Sequence, residues 1–323
     1  MKNNYSQIIK KATGATFIDD GQLIQNLWSN YGEIIRFTLE GSKYRSVVLK
    51  DVKLSINEYH PNGWETDISH NRKLKSYRIE SEWYKNWSHL CNNCCKVPKL
   101  LDIEYRGDEI LLILEDLDDI GFSIRKRSVT INDMKLCIKW LANFHGLFMG
   151  TKPQGLWEKG TYWYLETRPD ELNKLTDIKL KNAAWDIDKK LDSSPFQTIV
   201  HGDAKLENFC FSNDGLSVAA VDFQYVGGGV GVKDLVYFIG SCLQDSECEK
   251  YETELTNYYF NELKHTLINK DIDFNLLEKS WRELYSVAWA DFHRFLKGWS
   301  PGYWSPKSYS ERITNRVIDN LWS

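Results

Sequence analysis

The chain has 323 residues, 42% of them hydrophobic and 27% charged, with a net charge of −4. These are globular proportions, and the length exceeds one small core, so two domains or lobes are expected. The mildly acidic balance, without a dense basic run, gives no electrostatic case for nucleic acid. No stretch approaches ~18 uninterrupted apolar residues, and Met1-Lys2-Asn3-Asn4-Tyr5 has no apolar signal region, so a soluble, cytoplasmic protein without membrane insertion is predicted. The seven cysteines are scattered, and Cys91, Cys94 and Cys95 lack a second pair at zinc-finger spacing, so reduced thiols are expected.

Three strands are predicted between Asp20 and Asp51: Ile24 to Trp28, Glu33 to Leu39 and Tyr44 to Val52. The turns between them are Ser29-Asn30-Tyr31-Gly32 and Glu40-Gly41-Ser42-Lys43. A strand-turn-strand unit can cover phosphates with backbone N–H groups, which makes Asn30 and Gly32 candidates, although no G-x-G-x-x-G is present. Lys50 ends the apolar run Ser46-Val47-Val48-Leu49, and a phosphate-pairing lysine in such a place needs a carboxylate partner. The predicted helix Asn71 to Trp87 offers Glu80, flanked by Tyr77 and Tyr84, with Glu82 as the rival in the same turn. Asn57 to Asp67 reads as loop, and His60 and His70 as polar residues in or beside it.

Ile110 to Leu114 is a continuous apolar strand followed by Glu115-Asp116-Leu117. A strand ending in a crossover offers backbone groups to a nucleotide base, so Glu115 and Leu117 enter through their main chain. The acidic run Asp116 to Asp119 otherwise reads as an ordinary loop. From Thr130 the pattern is helical, with Met134, Cys137, Ile138, Leu141, His145 and Phe148 on one buried face, Thr130 and Asp133 as a capping pair, and His145 as a hydrogen-bonded core residue. Leu156 to Tyr164 is a loop rich in Trp and Tyr, and Pro169 starts another helix.

The most informative stretch is His201-Gly202-Asp203-Ala204-Lys205-Leu206-Glu207-Asn208, followed by Val221-Asp222-Phe223. An Asp, an Asn five residues on, and a second Asp form the arrangement phosphoryl transfer requires: a base for an acceptor hydroxyl and two oxygen ligands for Mg²⁺ on nucleotide phosphates. The spacing is that of H-R-D-x-x-x-x-N, with Gly202 in place of Arg. Phe209 to Phe211 and Leu216 to Phe223 read as strands around the turn Ser212-Asn213-Asp214-Gly215, which brings Asp222 back towards Asn208. Tyr225 to Asp234 reads as a short, flexible glycine-rich segment without P-loop order. Asp234 opens an apolar helix, Leu235 to Leu243, and is placed to brace the catalytic loop through backbone hydrogen bonds. The last third is helical; Phe274 to Gly298 runs into Trp299-Ser300-Pro301-Gly302-Tyr303-Trp304. With Trp157 and Trp163 these aromatics are candidates to wall an acceptor pocket, core packing being the alternative.

His201-Gly202-Asp203 with Asn208, then Val221-Asp222-Phe223, resembles the aminoglycoside phosphotransferase and choline kinase superfamily. Glu115-Asp116-Leu117 after an apolar strand, and Val221-Asp222-Phe223-Gln224-Tyr225 entering a glycine-rich turn, resemble its ecdysteroid kinase-like (CHK kinase-like) branch. The resemblance runs from about Leu27 to Trp304. It implies an α+β, two-lobed protein kinase-like fold, with a small β-rich N-lobe over 1–116 and a larger, mainly helical C-lobe over 117–323. It further implies ATP and Mg²⁺ as cofactors, Asp203 as base, Asn208 and Asp222 as metal ligands, Lys50 paired with Glu80, and Glu115 to Leu117 as hinge. Lys205, two residues after the base, would neutralise charge on the transferring phosphoryl group. Gln224 replaces the Gly of D-F-G and no A-P-E follows, which argues for a hydroxyl-bearing small-molecule acceptor rather than a protein. A catalytically silent ATP-binding module of the same fold is the alternative. Aromatic walls suit a quaternary ammonium such as choline and suit an apolar alcohol equally.

Overall fold

The computed structural model describes residues 3–27, 30–54, 67–300 and 308–321. Trp28, Ser29, His60, the Pro61-Asn62-Gly63 loop and the aromatic turn from Pro301 to Trp304 lie outside the described residues. The chain forms two compact units, Met1–Arg125 with Cys210–Val221, and Lys126–Phe209 with Asp222–Ser323.

The first unit is built on one antiparallel sheet. Its strands are β1 (Phe17–Ile18), β2 (Gln22–Asn26), β3 (Gly32–Glu40), β4 (Ser46–Lys53), β5 (Leu100–Arg106) and β6 (Glu109–Glu115). The order is β1-β3-β4-β6-β5, with β2 also paired to β3. Alternation places Ile35, Phe37 and Leu39 of β3 on the same side as Val47, Leu49, Leu111 and Ile113, where Ile8 and Ile9 of helix α1 (Asn3–Thr13) complete the core. β6 is buried along nearly its whole length, which is why it reads as an unbroken apolar run, whereas the edge strand β5 is half-exposed and mixed in composition. Helix α2 (Asp67–Asn86) follows β4.

Residues 117–125 and the hairpin of β8 (Phe209–Phe211) and β9 (Val218–Ala220) belong with this unit through an apolar cluster of Leu117, Phe122, Cys210, Ala219 and Val221. The acidic run after β6 is more than an ordinary loop. Asp116 takes the Arg36 guanidinium at 2.7 Å and the Ser46 hydroxyl at 2.6 Å, Arg125 reaches Asp118, and Arg45 reaches Asp119. Three closely spaced acids are thus tied to three arginines and a serine that lie far away along the chain or after the turn.

The second unit is mainly helical: α3 (Ile131–Leu147), α4 (Pro169–Lys174), α5 (Ile178–Asp192), α6 (Val232–Cys242), α7 (Asp245–Thr266), α8 (Phe274–Trp299) and α9 (Tyr309–Leu321). Thr130 and Asp133 form the expected capping box on α3, and Pro169 opens α4. Helix α8 packs on α4, α5, α6 and α9. The glycine-rich segment departs from the flexible turn expected for it. Gly227–Gly229 is strand β10, paired antiparallel with β7 (Thr198–Val200), so the glycines form a narrow ribbon beneath neighbouring backbone. Among the described residues no helix is long and apolar enough to cross a membrane, and all seven cysteines are free thiols. An α+β architecture of one β-rich and one mainly helical unit is what the family resemblance implied.

Helices α8 and α9 are joined by a polar latch, His293 Nε2 to Glu311 at 2.7 Å and Lys297 Nζ to Glu311 at 2.9 Å. The His293 hydrogen bond, helped by Lys297 against the opposing effect of burial, pulls the Glu311 pKa down to about 2. A depressed carboxylate contributes stability above its unfolded pKa, ~4.3, and loses it as pH falls through the folded value. Glu311→Gln should therefore cost on the order of 2 kcal/mol at pH 7, with the difference from wild type shrinking between about pH 4.5 and 2. Urea unfolding of both proteins across that range is the check; a pH-independent gap would exclude the latch as its cause.

Candidate active site

Strand β7 is wholly buried and delivers the chain into His201 at the start of the candidate catalytic loop. The loop is held from below by Asp234 in the first turn of α6. Its carboxylate accepts the His201 N–H at 2.6 Å, the Gly202 N–H at 2.9 Å and His145 Nε2 at 3.0 Å. The Tyr259 hydroxyl lies 2.8 Å from His145 Nδ1. Because a carboxylate only accepts, the His145 proton sits on Nε2 and the phenol donates to Nδ1. Both expectations, Asp234 as brace and His145 as hydrogen-bonded core residue, are met by one network.

Gly202 shows why Arg is missing from this version of the motif. Its φ is +81°, and a Cβ there would lie 2.1 Å from the Tyr225 carbonyl oxygen. The loop is closed from a second side by the Trp- and Tyr-rich segment. Trp157, Gly160, Thr161 and Tyr162 donate their backbone N–H groups to Val226, Gly228, Tyr225 and Gly202 respectively. Thr161 does this at a φ of +95° with its buried hydroxyl unpartnered, an arrangement costing of order 1–3 kcal/mol for a β-branched residue. Nothing local in the sequence marks this clamp, because its partners are backbone atoms some forty to seventy residues away. Trp163 is 0% exposed, with Nε1 donating to Asp291, and Trp157 donates to the Gln224 carbonyl. Both Trp residues are therefore core.

Past Gly202 the loop sets out its polar groups. Asp203 is 7% exposed. A 3₁₀ turn over Leu206–Asn208 carries Asn208 back, so that its Nδ2 donates to the Asp203 carbonyl at 2.7 Å and to Asp203 Oδ2 at 3.1 Å. Lys205 Nζ lies 3.4 Å from the same Oδ2. The Tyr237 hydroxyl, from α6, donates to Oδ1 at 3.1 Å. Burial pushes the Asp203 pKa up to about 7; Lys205 opposes the shift and the charge of Asp222 adds to it. Burial would lower the Lys205 pKa, but the carboxylates of Asp203 and Asp222 outweigh it and raise the value, so the ammonium stays charged. Asp222 stands just past β9, outside the strand expected to extend to Phe223, in a left-handed conformation with φ +67°. The structure thus brings Asp203, Lys205, Asn208 and Asp222 together. Tyr237 was missed, its only signal being a polar residue in an apolar helix.

In the first unit, Lys50 lies in the middle of the sheet, opposite Ile34 and Leu112. Its Nζ is 2.6 Å from Glu80 Oε2, with Lys50 5% and Glu80 2% exposed. Glu82 points elsewhere and accepts from Asn86. Removing one member of a buried ion pair strands the other charge. Glu115 is salt-bridged to Lys96 at 2.8 Å, and its N–H donates to the Lys99 carbonyl. The Leu117 carbonyl accepts from Phe122 N–H. Asn30 is left-handed at φ +56°. Gly32 has φ +135°, and a Cβ there would meet the Asp51 carbonyl at 2.0 Å, so close approach to β4 is reason enough for this glycine.

Residues 161–271 match the ecdysteroid kinase-like family, a stretch that contains Tyr162, Asp203, Lys205, Asn208, Asp222, Asp234 and Tyr237. None of the curated proteins matches the chain. Among solved structures, the chain is similar to an ethanolamine kinase of Plasmodium vivax at 15% identity and TM-score 0.50, covering 94% of this chain and 82% of that one. It is similar to an aminoglycoside phosphotransferase of Streptomyces rimosus, in complex with ADP and streptomycin, at 11% identity and TM-score 0.49, with 91% and 97% covered. A choline kinase of Streptococcus pneumoniae shares 15% identity at TM-score 0.42, with 98% and 99% covered. These neighbours are small-molecule kinases, and the fold is protein kinase-like.

Proposed function

We propose that the protein is an ATP- and Mg²⁺-dependent phosphotransferase acting on a hydroxyl of a small molecule. The observation that carries this reading is the grip on Asp203, whose Oδ2 is bonded by Asn208 and faced by Lys205 beside a left-handed Asp222. Asn208 spends its amide hydrogens on Asp203, which turns its carbonyl oxygen to the other side. That oxygen and the Asp222 carboxylate are hard donors, few in number, and fit a Mg²⁺ that keeps water and phosphate oxygens in its shell. When bound, the metal and nucleotide supply the phosphoryl group and offset the charge on its oxygens.

The remaining roles fall to the chain. Asp203 would align the acceptor hydroxyl and take its proton as that oxygen bonds to the terminal phosphorus and the bond from the same phosphorus to the bridging oxygen breaks, ADP being the leaving group. Lys205, charged throughout, stabilises negative charge on the transferring group. Lys50, held by Glu80, binds nucleotide phosphate, and the Asn30–Gly32 turn and the Glu115–Leu117 backbone are assigned to nucleotide contact. Alignment and charge stabilisation then supply most of the rate.

Asp222→Asn tests the metal assignment, because Asn tolerates the left-handed conformation. Mg·ATP affinity by titration calorimetry should fall at least about tenfold, with metal-free ATP binding unchanged, and ADP release with a panel of alcohols, amino sugars and choline should drop to background. Unchanged Mg·ATP binding would remove Asp222 as a ligand. Nucleotide binding by wild type without transfer to any hydroxyl would leave a silent module.

A further inference from the structure

Both oxygens of the Asp203 carboxylate are held. Asn208 and Lys205 act on Oδ2, both from the catalytic loop itself. Oδ1 is held by a residue from outside the loop, the Tyr237 hydroxyl at 3.1 Å. Tyr237 is only 8% exposed. Its ring is fixed by Trp163 at 5.1 Å, Phe292 at 4.9 Å and Tyr162 at 5.4 Å between centroids. Packing alone would be met as well by Phe, and a buried phenol without a partner costs about 1–3 kcal/mol. The bond to Asp203 offsets that cost. Burial, with the Asp203 charge adding to it, raises the Tyr237 pKa far above the ordinary phenol value, so the group is always a donor.

We propose that Tyr237 is a positioning residue for phosphoryl transfer: its hydroxyl, anchored by aromatic rings of the Trp- and Tyr-rich segment and α8, sets the rotation of the Asp203 carboxylate so that a lone pair meets the acceptor hydroxyl. This rests on the reading of Asp203 as the base. A base must lie within hydrogen-bond reach of the proton it takes, and misplacement by about 1 Å costs on the order of 10²-fold. Asn208 and Lys205 cannot supply this alone, since both act on one oxygen and leave the carboxylate free to swing about it. Helix α6 also carries Asp234, so one element braces the loop backbone and orients its catalytic side chain.

The test is Tyr237→Phe, which deletes one oxygen and keeps the ring contacts. With the best acceptor of the hydroxyl panel, kcat should fall about 10- to 100-fold, while KM for ATP, Mg·ATP affinity and the melting temperature stay at wild-type values. In an Asp203→Asn background, single-turnover transfer should show no further loss on adding Tyr237→Phe, because the group being positioned is gone. Wild-type kcat in Tyr237→Phe, or a loss that multiplies fully with that of Asp203→Asn, overturns the inference and leaves the proposed function standing. A general structural role would instead lower stability and nucleotide affinity together, and that result overturns it too. Absence of transfer by wild type to every hydroxyl overturns both.

Discussion

Asp203→Asn should lower turnover by about 10³-fold, within the range that general base catalysis contributes, and leave Mg·ATP affinity nearly intact. The amide keeps the size of the side chain and one oxygen for Asn208, so geometry is preserved while the basic lone pair is lost. A second effect has the opposite sign. The Asp203 pKa is about 7 in the folded, metal-free protein against ~3.9 unfolded, because the carboxylate is buried and has Asp222 as a neighbour. A raised carboxylate pKa means that ionisation costs stability; the cost starts as pH rises above ~3.9 and is complete above about 7. Metal-free Asp203→Asn should therefore be more stable than wild type at pH 8, by on the order of 2–4 kcal/mol, with the gap closing towards pH 4. Denaturant melts at the two pH values, with chelator present, measure it. Retained turnover would refute the base assignment; a variant less stable than wild type at pH 8 would refute the electrostatic account of the site.

Asp234→Ala should have the largest effect on folding. Its carboxylate is 0% exposed and accepts from His201 N–H, Gly202 N–H and His145 Nε2. Truncation leaves three buried donors without partners, at about 1–3 kcal/mol each before relaxation, so a loss of about 3–5 kcal/mol is expected. That is a large part of a typical domain's stability of about 5–15 kcal/mol, and should lower the melting temperature by about 10 °C. Turnover should fall as well, because the backbone leading into Asp203 loses its support. Burial on its own would raise the Asp234 pKa, but the hydrogen bonds from His145 and the Gly202 N–H bring it below the ordinary value. Its contribution is thus present above ~3.9 and lost as pH falls through the folded value. An Asp234→Ala protein that unfolds at the wild-type urea concentration would show that the loop is braced by something else.

Much of the site was readable because its chemistry is local. Asp203, Lys205 and Asn208 lie within six residues, and Asp222 follows one hairpin later, so spacing alone implies their meeting. Lys50 was visible as a charge in an apolar strand. Glu80 was chosen over Glu82 from its aromatic flanks, and burial of the Lys50 pair bears out that choice. Thr130 with Asp133, and Asp234 at the head of an apolar helix, were also local signals.

The unread features share one property: their partners are distant in sequence or are backbone atoms. Tyr237 serves Asp203 across 34 residues. The Thr161 clamp bonds main chain to main chain, which no residue type encodes. The Asp116 to Asp119 run looked like solvated loop because its arginines sit at 36, 45 and 125. The glycines at 227–229 looked flexible because glycine signals freedom in one dimension, while here it signals backbone packed too closely for a side chain. Edge strand β5 and helix α1 escaped notice because each buries only part of one face, and a few apolar residues give little periodicity.

The amino-acid string alone was sufficient for the cluster of Asp203, Lys205, Asn208 and Asp222, through short-range spacing, and for the class of fold, through the family resemblance that those residues carry. How Asp203 is oriented and why residue 202 has no side chain are settled by packing in three dimensions. Burial there strengthens some charge interactions, penalises others, and leaves room for a single backbone path.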